Sequence, residues 1–285
     1  MVIGTEYVGS DRAISGGGIP QVLSIAGSDP GGGAGIQGDI KAISANGAYA
    51  LSVVTSVTSQ NTQKVVTTFD LPLRVIESQV IAIFDDFSVS AVKTGMLSSK
   101  AIVKRVALLL RRLHLRNLIV DPVMLSKSTY PLLQEDALSV LKSELIPLAA
   151  LVTPNILEAE RLANIKIDGI SGAEEAARRI HAIGCGAVLV KGGHLLEALG
   201  CDILYDGNRT TRFTGDFIET PHTHGTGCAY SAAIAAHLAR GKSLVEAIGC
   251  AKDYVIETIR HAHPMGHGAG PVNHFFFFRR SGTTT

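Results

Sequence analysis

Gln21-Val22-Leu23-Ser24-Ile25-Ala26-Gly27-Ser28-Asp29-Pro30-Gly31-Gly32-Gly33-Ala34-Gly35-Ile36-Gln37-Gly38-Asp39 contains the unit from which the rest of the chain is built. Val22 to Ala26 is a short, nearly continuous apolar run, so it reads as a strand covered on both faces, as strands of parallel sheets are. Five glycines follow within the nine residues from Gly27 to Gly35, and Ile36 to Asn46 then has helical spacing. Strand, loop, helix is the repeating element of a doubly wound sheet.

The pattern continues. Strands are expected over Tyr49 to Thr58, Val89 to Thr94, Asn117 to Asp121, Leu148 to Thr153 and Ala187 to Lys191. Helices are expected from Leu73 to about Asp85, and over Ser98 to His114, Gln134 to Leu145, Asn155 to Ala163 and Ala173 to Ile183. Asp202 to Tyr205 and Thr210 to Thr214 flank Asp206-Gly207-Asn208 as a hairpin would. Two long helices, Thr226 to Arg240 and Leu244 to His261, follow. The expected fold is α/β, with helices on both faces of a mostly parallel sheet. In such sheets ligands sit beyond the carboxyl ends of the strands.

The bulk numbers bound the function. The chain has 285 residues, of which 46% are hydrophobic and 18% charged, enough for a substantial core. A formal net charge of +1 argues against nucleic acid or an anionic membrane as partner. The four cysteines form no C-x-x-C pair, so neither a zinc site nor a disulfide framework is indicated, which fits a reducing compartment. No apolar run reaches the roughly 18 residues of a membrane span. Residues 1–20 read as a flexible lead-in without the features of a targeting segment.

Five segments carry candidate chemistry. In Pro221-His222-Thr223-His224-Gly225-Thr226-Gly227-Cys228 a small polar loop runs into an alanine-rich helix. Its leading N–H groups and dipole make an anion site, and the glycines let the anion approach. Cys228 beside that charge is expected to have a lowered pKa; alternatively it is a small core residue after a glycine turn. Asp121 ends one strand. Pro154 starts a helix whose Asn155 and Glu158 share a face, able either to hold a hydrated Mg²⁺ or simply to cap the helix. Lys191 ends another strand as a point charge suited to phosphate. Gln60 offers an amide to a heterocycle edge or is an ordinary strand terminus.

In order along the chain, these residues resemble the ribokinase-like kinases, and within them the hydroxymethylpyrimidine and hydroxymethylpyrimidine-phosphate kinases of thiamine biosynthesis. The resemblance spans about residues 21–276 and rests on Ala26-Gly27-Ser28-Asp29-Pro30 with Gly32 to Gln37, Gln60-Asn61-Thr62, Lys93-Thr94-Gly95-Met96-Leu97, Asp121-Pro122-Val123-Met124 with Lys127-Ser128, Thr153-Pro154-Asn155 with Glu158-Ala159, Lys191-Gly192-Gly193-His194, His224 to Cys228, and Gly266-His267-Gly268 with Gly270-Pro271-Val272. It implies a three-layer α/β/α sandwich, one kinase domain over 21–276 with a short polar tail at 277–285, ATP and Mg²⁺, and a homodimer in the cytoplasm; a plastid location would require a targeting segment. It also implies a pyrimidine pocket of Gly27, Asp39, Gln60, Met96 and Val123. The phosphate loop would be Gly225, Thr226 and Gly227, with Cys228 as base toward the acceptor, Lys191 near the nucleotide phosphates, and Asp121, Asn155 and Glu158 near the metal.

The expected reaction is phosphorylation of 4-amino-5-hydroxymethyl-2-methylpyrimidine and then of its monophosphate. A pyridoxal kinase is the near alternative, and a non-catalytic binding protein on the same scaffold the distant one. Some members of the family continue into a thiamine-phosphate synthase domain; the residues after His274 are too few to form one.

Overall fold

β1 (Gln21–Ser28) is buried along nearly its whole length and is an interior strand of the sheet. The computed structural model describes residues 18–126, 129–193 and 198–278. Most of the expected lead-in, Lys127-Ser128, His194 and the tail from Arg279 lie outside the described residues.

The other strands are β2 (Tyr49–Gln60), β3 (Val65–Asp70), β4 (Val89–Thr94), β5 (Leu118–Val120), β6 (Leu151–Val152), β7 (Val188–Val190), β8 (Asp202–Tyr205) and β9 (Thr210–Phe213). They form one sheet in the order β3-β2-β1-β4-β5-β6-β7-β8-β9. The six from β2 to β7 in that order run parallel. β3 at one edge is antiparallel to β2, while at the other β8 runs antiparallel to β7 and β9 to β8.

The α-helices are α1 (Gly35–Ala45), α2 (Leu73–Asp86), α3 (Lys100–Arg112), α4 (Ala137–Val140), α5 (Ile156–Ala163), α6 (Gly169–His181), α7 (Thr226–Ala239) and α8 (Leu244–Arg260), with α4 a single turn. Alternation along each strand feeds two separate cores. Leu23, Ile25, Leu118, Val120, Val188 and Val190 pack with α2 to α6. Val22, Ile119, Leu151, Leu189 and Leu204 pack with α1, α7 and α8. The expected three layers follow from this two-sided burial.

Three elements differ from the sequence reading. β3 is additional, although Val65-Val66-Thr67-Thr68-Phe69 is β-branched and aromatic as strands are. The helix expected over Gln134 to Leu145 winds as one α turn, a π turn over Leu141–Leu145 and a 3-10 turn over Ile146–Leu148. Pro147, lacking an N–H, cannot continue an α-helix there. That 3-10 turn takes Leu148, and the expected strand shrinks to β6.

Topology places the site. β1 lies between β2 and β4, so the chain leaves β1 toward one edge and β4 toward the other. The loops after β1 and β4 diverge there, opening the crevice in which doubly wound sheets bind ligands. α7 brings its N-terminus to the same edge, running as a layer-spanning helix with Ala229 to His237 all buried. Such a helix has no spare volume. Ala233→Leu, at a fully buried position, should lower unfolding stability by about 1–3 kcal/mol, read from the denaturant midpoint; an unchanged midpoint would mean that α7 is not tightly enclosed.

Candidate active site

The glycine-rich loop after β1 is wrapped around one side chain. Asp29 Oδ1 accepts the Gly31 N–H at 2.8 Å, and Oδ2 accepts Gly33 N–H at 3.1 Å and Ala34 N–H at 2.8 Å. Gln37 Oε1 accepts the Asp29 N–H at 2.9 Å and its Nε2 donates to Ser28 Oγ at 2.8 Å. Burial alone would push the Asp29 carboxyl up, but hydrogen bonds from His224, Gln60 and the Ala34 N–H lower it to about 2. The loop is therefore an ordered anionic turn.

The anion loop presses against it. Gly225, the N-cap of α7, has φ of +85°, and a Cβ there would lie 1.7 Å from the Gly33 carbonyl oxygen. A Cβ on Gly33 would meet His224 Cδ2 at 2.4 Å. Both positions require glycine, the first for conformation and both for space. Thr226 Oγ1 donates to Thr223 O at 2.8 Å and closes the turn before the helix.

Charge converges on the other side of α7's start. Lys191, just after β7, reaches Asp121 Oδ1 at 2.8 Å, and its Nζ lies 3.2 Å from where a Gly227 Cβ would be. Asp121, after β5, also accepts from Ser231 Oγ at 3.1 Å and Thr153 Oγ1 at 3.3 Å. Burial lowers the Lys191 ammonium's affinity for its proton, yet Asp121 and Glu158 more than offset this and hold it charged. A permanent cation thus stands beside the N–H groups of the α7 terminus. Gly192, the next residue, donates its N–H to Asp202 Oδ1 at 3.0 Å, and Asp202 Oδ2 accepts from Tyr230 Oη at 3.0 Å and Lys252 Nζ at 2.7 Å. That buried trio holds the turn carrying Lys191, and no local motif announces it.

Several expected site residues have other duties. Asn155 Oδ1 accepts the Glu158 N–H at 2.9 Å, and Glu158 Oε2 accepts the Asn155 N–H at 2.8 Å: a capping box. Glu158 Oε1 accepts the Met124 N–H at 3.4 Å. These oxygens take part in the cap, and no group of three His, Cys, Asp or Glu side chains able to hold a metal ion stands among the described residues. Asp121 and Glu158 lie close enough to act on each other's charge, and a carboxylate oxygen that accepts a single hydrogen bond keeps a lone pair for a cation or its water. The buried Glu158 carboxyl is pushed up to about 7 by burial, opposed by Lys191 and reinforced by Asp121.

The Cys228 thiol departs from the lowered pKa expected of it: burial raises it to about 11, with Lys93 acting in the lowering direction. Asp39, expected in the substrate pocket, is fully buried and paired with Lys93 at 2.8 Å, with Ser24 Oγ donating to it at 2.5 Å. It lies beneath the pocket floor, where Gly95 covers the ammonium: a Cβ there would be 2.8 Å from Lys93 Nζ.

Gly27 and Met96 do meet, with Met96 Sδ 3.1 Å from a Cβ built on Gly27. Val123 lies with Thr94, Gly95 and Asp121 on the Lys191 side. Gln60 opens onto a cleft of about 340 Å³ shared with Asn61, Thr62 and His224.

Donors and a fixed cation for an anion, set against a small glycine-walled recess, are what a small-molecule phosphotransferase needs. Residues 29–273 match the model of the phosphomethylpyrimidine kinase family. The chain is 48% identical over 253 residues, 89% of its length, to the thiamine biosynthesis bifunctional protein ThiED of Geobacter sulfurreducens, and spans about half (52%) of that relative. It is 42% identical to the hydroxymethylpyrimidine/phosphomethylpyrimidine kinase of Haemophilus influenzae, covering 92% of the chain and 98% of the relative. An ADP complex of Bacillus subtilis pyridoxal kinase superposes with a TM-score of 0.86 at 34% identity, over 91% of this chain and 99% of that one. The chain belongs to the phosphomethylpyrimidine kinase family.

The Glu158 shift has a measurable sign. Between its ordinary 4.5 and about 7 the folded protein keeps a proton that the unfolded chain has lost, so this group's contribution to stability falls as pH rises through that window. Glu158→Gln fixes the neutral form, so the stability difference should move in the variant's favour from about pH 4.5 to about 7. Thermal melts of both proteins across the range test this; a constant difference would contradict it.

Proposed function

We propose that the chain is an ATP-dependent kinase that phosphorylates the hydroxymethyl group of 4-amino-5-hydroxymethyl-2-methylpyrimidine and then its monophosphate, in thiamine biosynthesis. The observation that carries the mechanism is the contact between Gly225 and Gly33, which sets an anion-binding helix terminus directly against the substrate loop. The family match and the curated relatives support the substrate class; the neighbour solved with ADP supports ATP as phosphoryl donor.

In this reading the α7 terminus and Lys191 bind the transferred phosphoryl group and neutralise its charge. Gly27 and Met96 take the ring face, while the Gln60 amide offers an acceptor to an exocyclic amine and a donor to a ring nitrogen. The acceptor oxygen forms a bond to the γ-phosphorus as the bond to ADP breaks. In the first step the alcohol also loses its proton, which passes to an oxygen of the transferred phosphoryl group and from there to solvent; in the second the acceptor is already anionic. Charge placement matters most in so loose a transition state. Asp121, Asn155 and Glu158 would hold the Mg²⁺ that accompanies the nucleotide, and when bound it would neutralise phosphate charge.

A homodimer is supported by Val57 and Phe69, paired across β2 and β3 and 44% and 66% exposed. No helix among the described residues is long and apolar enough to cross a membrane. The relatives named above are bacterial, which gives a plastid location no support; the cytoplasm is our placement.

Incubating the chain with ATP and the pyrimidine should yield the diphosphate, resolved by chromatography. Product from pyridoxal alone would establish the reading that the pyridoxal kinase neighbour favours, and turnover of neither would leave a binding protein.

Cys228→Ser tests the thiol. A group that holds its proton to about 11 is not an ionised base at neutral pH, so serine should affect the two phosphorylations alike. Loss confined to the alcohol step, on the general-base scale of about 10²–10⁴-fold, would restore Cys228 as the base.

A further inference from the structure

The two glycine loops are joined by more than backbone contact. Asp29 Oδ2 lies 2.9 Å from His224 Nε2 across 195 residues of chain. The two side chains are 4% and 18% exposed. Since Asp29 is an ionised acceptor, Nε2 must carry the imidazole proton in this bond. His224 is held from behind too: its N–H donates to Gly270 O at 3.1 Å, and its carbonyl accepts the Val272 N–H at 3.3 Å. Its next neighbour is Gly225, which begins the anion site.

These contacts form a strut. One end is the carboxylate that organises the Gly31–Ala34 turn, and the other is the residue that fixes where α7 starts. The Gly225–Gly33 approach leaves the loops no room to slide, but repulsion alone would let them separate. The Asp29–His224 bond supplies the attraction that keeps them closed. The Gln60 amide also faces this carboxylate, so the group offered to the substrate ring shares the same anchor.

We propose that Asp29 and His224 are positioning residues whose hydrogen bond holds the anion loop against the substrate loop, fixing the distance between the transferred phosphoryl group and the acceptor oxygen. Neither touches the reacting atoms, and the proposal rests on the kinase reading. Asp29 acts on both loops and His224 on the anion loop only.

The experiment measures kcat and KM for both phosphorylations in wild type, Asp29→Asn, His224→Leu, His224→Gln and the Asp29→Asn/His224→Leu pair, with thermal midpoints for each. His224→Leu should lose on the order of 10²-fold in kcat in both steps, the scale of an ångström-sized misplacement, with the pyrimidine KM nearly unchanged. His224→Gln, which places an amide donor near the Nε2 position, should recover most of that loss. Asp29→Asn should lower kcat similarly and also raise the pyrimidine KM through Gln60. The double variant should be no slower than the worse single, because both remove one bond.

His224→Gln behaving like His224→Leu, multiplying losses in the double variant, or losses that track the thermal midpoints would overturn the proposal. A wild type without turnover would sink the kinase reading alone. The same series would then be read by calorimetric ADP affinity: weakening by His224→Leu with recovery by His224→Gln supports the strut, and equal affinities reject it.

Discussion

The closeness of Gly33 to Gly225 is the constraint on which this site depends. No side chain fits between them, so the loop after β1 and the start of α7 share one surface. Given that contact, the substrate recess and the anion-binding terminus need no separate scaffolding. α1 and α7 pack side by side beneath them, and the rigidity of that small-residue layer passes directly to the loops. The chemistry demands little beyond this: phosphoryl transfer responds chiefly to placement and charge.

Charge is arranged in two tiers. Lys191 and Asp121 lie at the carboxyl edge within reach of a ligand, whereas Lys93 and Asp39 form a fully enclosed pair one level below. A buried ion pair is weak evidence of stability. Its value here is that it fixes a cation under the floor without exposing it. The same enclosure explains Cys228. Lys93 pulls its pKa down, but desolvation and the carboxylates of Asp39 and Asp121 prevail.

Much of the fold was legible because strands with apolar residues on both faces alternate with amphipathic helices, and that pattern is local. β4 matches its expected limits, and α7 and α8 differ from theirs by a residue or two. β3 was overlooked although its composition is strand-like, and the π turn before β6 depends on packing that no window of sequence contains. Site legibility followed the same division. Lys191 beside Gly227 emerges from strand ends and a helix start, both visible in sequence. The pairing of Asp39 with Lys93 is not legible, because a carboxylate on α1 looks alike in sequence whether it faces a ligand or a buried lysine. The Asp29–His224 bond and the Asp202–Tyr230–Lys252 trio link distant residues, although the Asp-Pro-Gly sequence at 29–31 does mark a side-chain-stabilised turn.

The order of elements has a consequence for how the protein is made. One face of the sheet, bearing Val22, Ala91, Ile119, Leu151 and Leu189, is covered by α1, α7 and α8. α1 is synthesised early, but α7 and α8 follow all nine strands in the chain. Until those two helices emerge, then, a growing parallel sheet has its other face dressed by α2 to α6 while this one stays largely bare. Exposed apolar surface of that kind invites association between nascent chains. The helix that delivers the anion site is therefore also the cover that ends this vulnerable interval.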